Sequence, residues 1–407
     1  MRLISSISFI CLLFIFGCKN VEEKDESQNI EGVLISKDLN WSERMMLSEI
    51  ERFPKAWQLD FHDKPVWSYP NGLVLKGTQE LFKKTGKEVY HDYIFSYTDA
   101  LIDSTGNIKT YKPETKNLAM LKSGHVLLWL YEKTGEEKYK KAADKLINQL
   151  IDQPRTKSGG FWHKKRYTNQ MWLDGLYMAH PFYARYAGEF EKDSAQKVYD
   201  DIIHQFDLTQ KHHLDKETGL LYHGWDESKE QKWANPKTGT SPNFWSRAMG
   251  WYGMALVDVL DYLPEDYKER KKIIGYLRDF AETVVNYQDE SGLWYQVLDR
   301  QQEEGNYLEA SGSAMFVYTL AKGGRKGYLN KSYLEDADKG YRGILNKLIS
   351  VEDNGIVNLN QVCAVAGLGG DPYRDGSFEY YVNEEIRPND PKGTGPFILA
   401  SLEMENK

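Results

Sequence analysis

The carboxyl group of Asp174 stands in a setting that could support acid/base chemistry. Trp172 and Leu173 precede it and Leu176 follows two residues later, so its neighbours in the chain are apolar. Burial among apolar side chains disfavours the charged form of a carboxyl, so we predict a raised pKa and a proton available for transfer. The alternative is a capping role, because aspartates near helix starts accept hydrogen bonds from backbone N–H groups.

Arg247 and two tryptophans form a second group of candidates. Arg247 lies in a stretch patterned as an apolar helix, where an unpaired cation is costly. It must pair either with an internal carboxylate or with an anionic ligand, and we predict the ligand. Trp245 and Trp251 are spaced to fall on roughly the same side of that helix. They either form the wall of a sugar pocket or pack against a neighbouring hairpin.

Two histidines lie in loops beside these groups. His163 precedes the stretch that contains Asp174, and His223 precedes the stretch that contains Arg247. A lone histidine is more often structural, but two near one aspartate indicate a polar pocket. Other chemistries lack their signatures: the sequence has no HExxH, CxxC, P-loop or GxSxG motif, so we predict neither a metal nor a cofactor.

A repeated unit organises the sequence and would position these groups. Each unit has a glycine-containing apolar helix, a turn, an amphipathic second helix, and a loop with Asp, Gly and an aromatic residue. The first helices are predicted to begin near Asn71-Gly72, Ser123-Gly124, Asp174-Gly175, Met249-Gly250, Ser311-Gly312 and Thr394-Gly395. The second helices show the i, i+3, i+4, i+7 spacing of one buried face and are predicted over 87–103, 136–152, 194–215, 267–289 and 332–350.

The number of helices predicts an all-α fold, an (α/α)6 barrel of six helical hairpins. Residues 40–59 are predicted to supply the sixth outer helix, so the sixth hairpin pairs the two ends of the chain and closes a ring. An open helical solenoid is the alternative, but the irregular repeat spacing favours a ring. The loops that lead into the inner helices would gather at one mouth of this ring, where a ligand is expected.

The N-terminal residues have the features of an export signal. A short basic start and an apolar block over 4–16 precede Gly17 and Cys18, which resembles a bacterial lipobox. We predict a lipoprotein-type signal peptide over 1–17 with lipidation at Cys18; the alternative is an ordinary signal with a chance cysteine. Residues 18–36 are predicted to form a flexible tether, and 37–407 a single catalytic domain. The expected location is outside the cytoplasm, on the periplasmic or cell-surface side, with this anchor as the only link to a membrane.

Composition restricts the partners of the protein. The formal net charge of -8 argues against a nucleic-acid partner. It would also mildly repel an acidic sugar, so such a substrate must be held by locally placed cations. The 11 Trp and 27 Tyr residues suit either a carbohydrate site or core packing. Of the three cysteines, Cys363 would be left without a partner, so no disulfide is expected.

Four segments of the chain resemble glycoside hydrolase family 105, the unsaturated rhamnogalacturonyl hydrolases. The resemblance covers about residues 40–405. It is carried by 170–178, 223–226, 244–251 and 372–381, which read Gln-Met-Trp-Leu-Asp-Gly-Leu-Tyr-Met, His-Gly-Trp-Asp, Phe-Trp-Ser-Arg-Ala-Met-Gly-Trp and Pro-Tyr-Arg-Asp-Gly-Ser-Phe-Glu-Tyr-Tyr. Members of that family have an (α/α)6 barrel, and they act on products of polysaccharide lyases, which carry a C4=C5 double bond in the terminal uronic acid.

The resemblance implies hydration of a vinyl ether. Asp174 matches the catalytic aspartate of the family and would protonate C4; as a carboxylate it would then guide water to C5, and the resulting hemiketal would open and release the next sugar. This chemistry needs one acid/base carboxyl, whereas ordinary glycosidases use two. Arg247 would meet the uronate carboxylate. The implied substrate-binding residues are His223, Trp245, Arg247 and Trp251, with Trp172, His163, Lys164 and Asn71 as further candidates.

One position departs from the family pattern. The family usually has a second aspartate near the start of the second inner helix, and Ala119 stands at that position here. The change affects how the enzyme would contact the sugar hydroxyls or the neighbouring unit. We therefore expect a pocket that accepts a different leaving sugar. The candidate substrates carry an unsaturated uronate linked to rhamnose, and derive from ulvan, where the rhamnose is sulfated, or from rhamnogalacturonan.

Two other classes of protein fit the same residues. A conventional inverting glycosidase or a sugar epimerase on the same ring would need a second carboxylate or a histidine pair facing Asp174, with Asp226 as a candidate. A lipid-anchored, non-catalytic oligosaccharide-binding protein would keep the aromatic residues and Arg247. It would not need a carboxyl buried among them.

Overall fold

Thirteen α-helices account for most of residues 34–406, the part of the chain that the computed structural model describes. Those longer than one or two turns alternate along the chain between an inner and an outer position. In chain order they are α1 (Trp41–Arg52), α2 (Tyr69–Thr85), α3 (Glu88–Leu101), α4 (Gly124–Thr134), α5 (Glu137–Ile151), α6 (Leu173–Phe190), α7 (Ala195–His213), α8 (Ser246–Val259), α9 (Arg270–Asn286), α10 (Ala310–Arg325), α11 (Tyr333–Lys347), α12 (Phe378–Val382) and α13 (Pro391–Met404).

Burial separates the inner helices from the outer ones. All 14 residues of the inner helix α8 are buried, whereas the outer helix α5 buries 7 of its 15 residues along one face. The inner helices α2, α4, α6, α8, α10 and α13 each pack against the next, and α13 packs against α2 as well as α10. The ring is therefore closed, which confirms the predicted all-α barrel over the open solenoid.

Glycines near the starts of the inner helices allow neighbouring helices to approach closely. A Cβ atom at Gly72 of α2 would lie 2.7 Å from the backbone Cα of Ser123, which directly precedes α4. At Gly312 of α10, a Cβ would lie 2.7 Å from the Cβ of Ser246 on α8. These distances are too short for any side chain, so the recurring glycine of the repeat is a packing requirement of the ring.

One predicted helix is wrong in its extent. The helix expected over 40–59 ends at Arg52, and residues Ala56–Phe61 form a separate 3₁₀ segment. Pro54 explains the break, because proline disfavours helical backbone in the residue before it. Helices α2, α8, α10 and α13 also begin two to four residues before the glycines that marked their predicted starts.

Strands are few in the described residues. They form two short antiparallel ribbons, β1 (Gln170–Trp172) with β2 (Gly224–Asp226), and β3 (Ile349–Val351) with β4 (Val357–Leu359). The predicted signal peptide and the lipidation site at Cys18 lie outside the described residues. Within residues 34–406 no helix has both the length and the apolar character required to cross a bilayer.

Candidate active site

The β1–β2 ribbon brings the two predicted site stretches together. Trp172 pairs with Gly224 in the ribbon, and the backbone N–H of Leu173 donates to the carbonyl of His223 at 3.1 Å. Helix α6 starts at Leu173, directly after the ribbon, so Asp174 lies in its first turn. The ribbon thus fixes the catalytic candidate Asp174 and the loop histidine His223 relative to each other at the mouth of the ring.

Three side chains are joined by hydrogen bonds that centre on His223. Its Nε2 lies 3.1 Å from Oδ2 of Asp174, and its Nδ1 lies 2.8 Å from the hydroxyl of Tyr381. An ionised carboxylate only accepts hydrogen bonds, so Nε2–H donates to Asp174, and the Nδ1 of a neutral ring then accepts from Tyr381. The side chain of His223 is fully buried, whereas 17% of the Asp174 side chain is exposed. Of these three hydrogen-bonded side chains, Asp174 is therefore the one that a ligand can reach.

The expectation of a raised pKa for Asp174 is wrong for the unliganded protein. Burial by itself raises the pKa of this carboxyl, but the hydrogen bond from His223 and the electrostatic interactions with the His223 and His163 rings outweigh it and hold the pKa below its ordinary value. The apolar neighbours in the chain predicted only the burial effect. A ligand that carries its own negative charge into the site would shift the pKa of Asp174 upward again.

Aromatic rings continue from His223 toward the rim. The ring of Trp172 meets that of His223 edge-on at 5.2 Å, and it stacks on both His163 and Tyr167, each at 4.6 Å between centroids. Burial, together with the charge of Lys164, lowers the pKa of His163 to about 3, so this ring is neutral at neutral pH. Trp172 is 6% exposed and His163 is 4% exposed, so these rings form a largely buried aromatic wall beside Asp174.

Trp245 lies against His223, and Arg247 lies against Trp245. The ring of Trp245 is 5.0 Å from that of His223, and its indole N–H donates to Gln296. The guanidinium of Arg247 is 4.7 Å from the Trp245 ring and donates to Ser311 Oγ at 3.2 Å and to the carbonyl of Cys363.

Arg247 is thereby linked to an internal carboxylate as well as to the site. Ser311 Oγ, which accepts from Arg247, donates to Glu309 at 2.8 Å. Glu309 is fully buried at the start of α10, where it also accepts from the N–H of Gly312. Of the two alternatives considered for Arg247, which is only 1% exposed, the structure shows the internal carboxylate, reached through a hydroxyl. The anionic ligand stays a prediction.

Two other candidates serve the fold at the inner helices. Trp251 is almost fully buried and stacks on Tyr177 of α6 at 5.4 Å between ring centroids, which is the packing alternative considered for it. Asn71 is fully buried at the start of α2, where its amide nitrogen donates to Ala56 at 2.7 Å and its oxygen accepts from Ser68. Both polar atoms of Asn71 are thus engaged within the fold.

Asp226 does not face Asp174 as a second catalytic carboxylate. One of its oxygens accepts from the backbone N–H and hydroxyl of Ser228, and the other from the N–H groups of Glu230 and Gln231. The side chain is fully buried in this loop. The role that a two-carboxylate glycosidase requires of it is therefore unsupported.

One group of acidic and histidine side chains in the described residues has the spacing to hold a metal ion. Glu88, His91 and Asp92 stand together on the outer helix α3, and both carboxylates are exposed. Exposed groups of this kind are common without a metal, and this one is on a surface helix.

Several residues at the site were not assigned a role from the sequence. Tyr381 was noted only as part of a segment, yet it holds His223 from a distance of 158 positions along the chain. Gln296 bonds both the Trp245 indole and the carbonyl of Tyr381. These partners come from hairpins far apart in the chain, and no local pattern connects them.

Known proteins share this fold. The model of Glycosyl Hydrolase Family 88 matches residues 41–407. The chain belongs to glycosyl hydrolase family 88 and is a glycoside hydrolase. A solved glycoside hydrolase of family 105 from Clostridium acetobutylicum (C. acetobutylicum ATCC 824) is 46% identical, has a TM-score of 0.86, and is matched over 91% of this chain and 100% of its own. The resemblance to family 105 is thereby confirmed.

Named relatives extend over different parts of the chain. The unsaturated rhamnogalacturonyl hydrolase YesR of Bacillus subtilis is 28% identical over 327 residues, 79% of this chain and 86% of its own length. An unsaturated 3S-rhamnoglycuronyl hydrolase of Formosa agariphila is 33% identical over 240 residues, 57% of each chain. The unsaturated glucuronyl hydrolase of Bacillus sp. GL1 has a TM-score of 0.65 at 12% identity, so it shares the fold alone.

Proposed function

We propose that this enzyme removes a terminal 4,5-unsaturated uronic acid from oligosaccharides made by polysaccharide lyases. The observation that carries the proposal is the carboxyl of Asp174, which is 17% exposed and is hydrogen-bonded at 3.1 Å to the buried His223. The other carboxylate considered, Asp226, has its oxygens occupied within its own loop. One acid/base carboxyl suits hydration of a vinyl ether, whereas direct hydrolysis at the anomeric carbon uses two.

The reaction begins with a proton transfer to carbon. Asp174 gives its proton to C4, the C4=C5 electron pair forms the new C–H bond, and positive charge develops at C5 beside the ring oxygen. Water adds to C5 and loses a proton to the Asp174 carboxylate, which restores the acid. The hemiketal at C5 opens by breaking the bond to the ring oxygen, and the hemiacetal left at C1 then releases the next sugar.

His223 supports both protonation states of Asp174. When Asp174 is ionised, Nε2–H of His223 donates to it and stabilises the negative charge. Tyr381 holds the other ring nitrogen, so the imidazole keeps one orientation throughout. The arrival of an anionic uronate disfavours a second negative charge nearby, and this repulsion moves the proton onto Asp174 when the substrate is bound.

Charge and aromatic rings favour an acidic sugar at this mouth. The inner helices α6, α8 and α10 begin beside Asp174, Arg247 and Glu309, and the N-terminus of a helix carries a partial positive charge. Arg247 lies next to Trp245, which is close to His223. We infer that the uronate carboxylate is held on this side, while the flat unsaturated ring rests against the aromatic wall.

The leaving sugar proposed is rhamnose, from ulvan or from rhamnogalacturonan products. Support comes from two relatives, one named as an unsaturated rhamnogalacturonyl hydrolase and one as an unsaturated 3S-rhamnoglycuronyl hydrolase. A panel of purified lyase digests tests the proposal through the ultraviolet absorbance of the conjugated double bond, which hydration removes. We expect loss of absorbance on uronate–rhamnose products. Exclusive activity on the rhamnogalacturonan disaccharide would reject ulvan, and activity on none of the digests would reject the proposed function.

The substitution Asp174→Asn tests the residue that carries the proposal. An amide cannot transfer the proton, so we expect kcat on the best digest to fall by about 10²–10⁴-fold. The matched control is Asp193→Asn, which makes the same chemical change at an exposed position beyond the far end of α6. Normal turnover by Asp174→Asn would show that another group supplies the proton.

A further inference from the structure

Three cations meet around one tyrosine at the rim of the site. The guanidinium groups of Arg166 and Arg374 each donate to the hydroxyl of Tyr167 at 2.8 Å. The ammonium group of Lys164 lies 5.7 Å from the centroid of the same ring. We name Lys164, Arg166 and Arg374 the cation cluster.

The cation cluster has no counter-ion in the described part of the chain. Within residues 34–406, none of its three members has a carboxylate oxygen within the 4.0 Å that defines an ion pair. The contrast is with Arg155, another loop arginine, which pairs with Asp201 at 2.7 Å.

Like charges therefore repel one another in the cluster. Burial, aided by the charges of Arg166 and Arg374, lowers the pKa of the half-buried Lys164 to about 8. The lysine is still mostly protonated at neutral pH, so the cluster keeps three positive charges. An anion placed between them would relieve this repulsion.

The cluster is connected directly to the catalytic wall. Tyr167 stacks on Trp172, Trp172 meets His223, and His223 bonds Asp174. Arg166 is exposed at the outer end of this series, and Asp174 is at its inner end. A sugar that follows the scissile bond out of the site would therefore pass the cluster.

The neighbouring segment adds no negative charge. The N–H of Leu118 bonds the carbonyl of His163 at 3.1 Å, so the short segment 118–121 packs on the loop that carries the cluster. Ala119, the residue after Leu118 in this segment, has no charged group to balance the cations.

The three members differ in how far they serve the fold. Arg374 also donates to the carbonyls of Gly369 and Leu368, which helps to hold the loop 367–370. Arg166 has only the Tyr167 hydroxyl as a partner, and the ammonium of Lys164 has no hydrogen-bond partner in the described residues. Lys164 and Arg166 are therefore the positions where a ligand can be tested without loss of internal bonds to the backbone.

We propose that the cation cluster binds an anionic substituent, a sulfate ester or a carboxylate, on the sugar that follows the scissile bond. A guanidinium presents paired N–H donors that match the oxygens of either group. The inference rests on the proposed function, because it is the unsaturated uronate that places the next sugar beside the cluster. It makes the charge of the leaving sugar a determinant of specificity.

Matched substrates test the cluster through a ratio. The probes are unsaturated uronate–rhamnose disaccharides with and without a rhamnose sulfate, and an unsaturated disaccharide whose second sugar carries a carboxylate. We expect wild-type kcat/KM to favour the anionic leaving sugar, and Arg166→Gln and Lys164→Gln each to lower the anionic-to-neutral ratio by about 10-fold or more. The control Lys165→Gln removes a charge from an exposed side chain of the same loop and should leave the ratio unchanged.

The two anionic probes separate the possible sources of the charge. Preference for the sulfated form alone assigns the cluster to sulfate, and preference for the second uronate alone assigns it to a carboxylate. Equal losses on anionic and neutral substrates would overturn the inference, as would a wild-type enzyme that does not discriminate between them.

Binding of the released product provides a measurement independent of turnover. In calorimetry, the wild-type enzyme should bind sulfated rhamnose more tightly than unsulfated rhamnose. Arg166→Gln should bind sulfated rhamnose at least 10-fold more weakly than the wild type does. Sulfate-selective binding without turnover of any unsaturated substrate would reject the proposed function and keep an anion site at the cluster. No discrimination in either assay would reject the cluster as an anion site.

Discussion

At the scale of single residues, the site depends on partners that a sequence pattern does not contain. Asp174 was expected to hold a proton because its neighbours are apolar, yet its pKa is lowered because His223 lies against it. Tyr381 in turn holds His223 from the far side. The acid is thus an assembly of three residues from separate hairpins.

The substitution Tyr381→Phe should weaken catalysis more than binding. It removes one hydroxyl that fixes the His223 ring, and a net hydrogen bond of this kind is worth about 0.5–1.5 kcal/mol, or roughly two- to tenfold in rate. We expect kcat to fall by that factor with little change in KM. The control is Tyr380→Phe, whose hydroxyl accepts from the N–H of Gly367 and does not touch His223. A loss confined to KM, or an equal loss in both variants, would argue against a positioning role for Tyr381.

The pH dependence of the reaction should differ between the free and the bound enzyme. The reaction needs protonated Asp174, and its pKa is below the ordinary value in the free enzyme, so kcat/KM should fall as pH rises through that lowered pKa. The bound uronate adds negative charge and raises the pKa, so the basic limb of kcat should lie at higher pH. Full pH profiles of both parameters check this, and coincident basic limbs would contradict it.

At the scale of elements, the close packing of helices at glycines is the feature that the sequence predicted most clearly. The recurring glycine marks the places where inner helices approach, as at Gly72 against Ser123. The recurring glycine and the apolar spacing predicted the helices, because each of these signals is visible within a short stretch of sequence. The predicted helix ends were less accurate, since Pro54 stops α1, and Glu309 and Asp390 cap α10 and α13 ahead of their predicted starts.

The substitution Gly72→Ala should destabilise the ring. A Cβ at this position meets backbone atoms of Ser123 at 2.7 and 2.9 Å, which cannot move without shifting α4. We expect the free energy of unfolding to fall by about 1–3 kcal/mol. Gly275 is the matched control, because it lies inside α9 with nothing within 4 Å of its virtual Cβ.

The control should change stability in the opposite direction. Gly275→Ala improves helix propensity without a clash, so it should stabilise by about 0.5–1 kcal/mol. Denaturant unfolding of both variants measures the difference. Equal effects at the two positions would mean that close approach is not what requires glycine at Gly72.

At the scale of the whole molecule, charge and topology work together. The chain has a formal net charge of -8, yet Lys164, Arg166 and Arg374 lie at the rim of the site with no carboxylate partner among residues 34–406. The net negative charge alone predicted that local cations are needed to hold an acidic sugar. Their location did not, because 164–166 and 374 come from loops more than two hundred positions apart in the chain.

Several site residues could be predicted from the sequence, but the contacts between them could not. Asp174, His223, Trp172 and Trp245 could be named because each lies in or near a distinctive segment at a helix start. The resemblance to a family added the chemistry. The contacts among them depend on closure of the ring, and for that reason the packing of Trp251 on Tyr177 and the bonds of Asn71 could not be predicted from the sequence.

The central claim is that Asp174 protonates C4 of an unsaturated uronate before any glycosidic bond breaks. A substrate analogue with a methylene group in place of the glycosidic oxygen tests it directly, because hydration can proceed on this analogue and displacement at C1 cannot. In deuterated water, we predict that the enzyme removes the ultraviolet absorbance of the analogue and leaves deuterium at C4 and, at C5, a hemiketal in equilibrium with its open ketone, while Asp174→Asn does neither. An analogue left unchanged by an enzyme that turns over the oxygen-linked substrate would contradict the account.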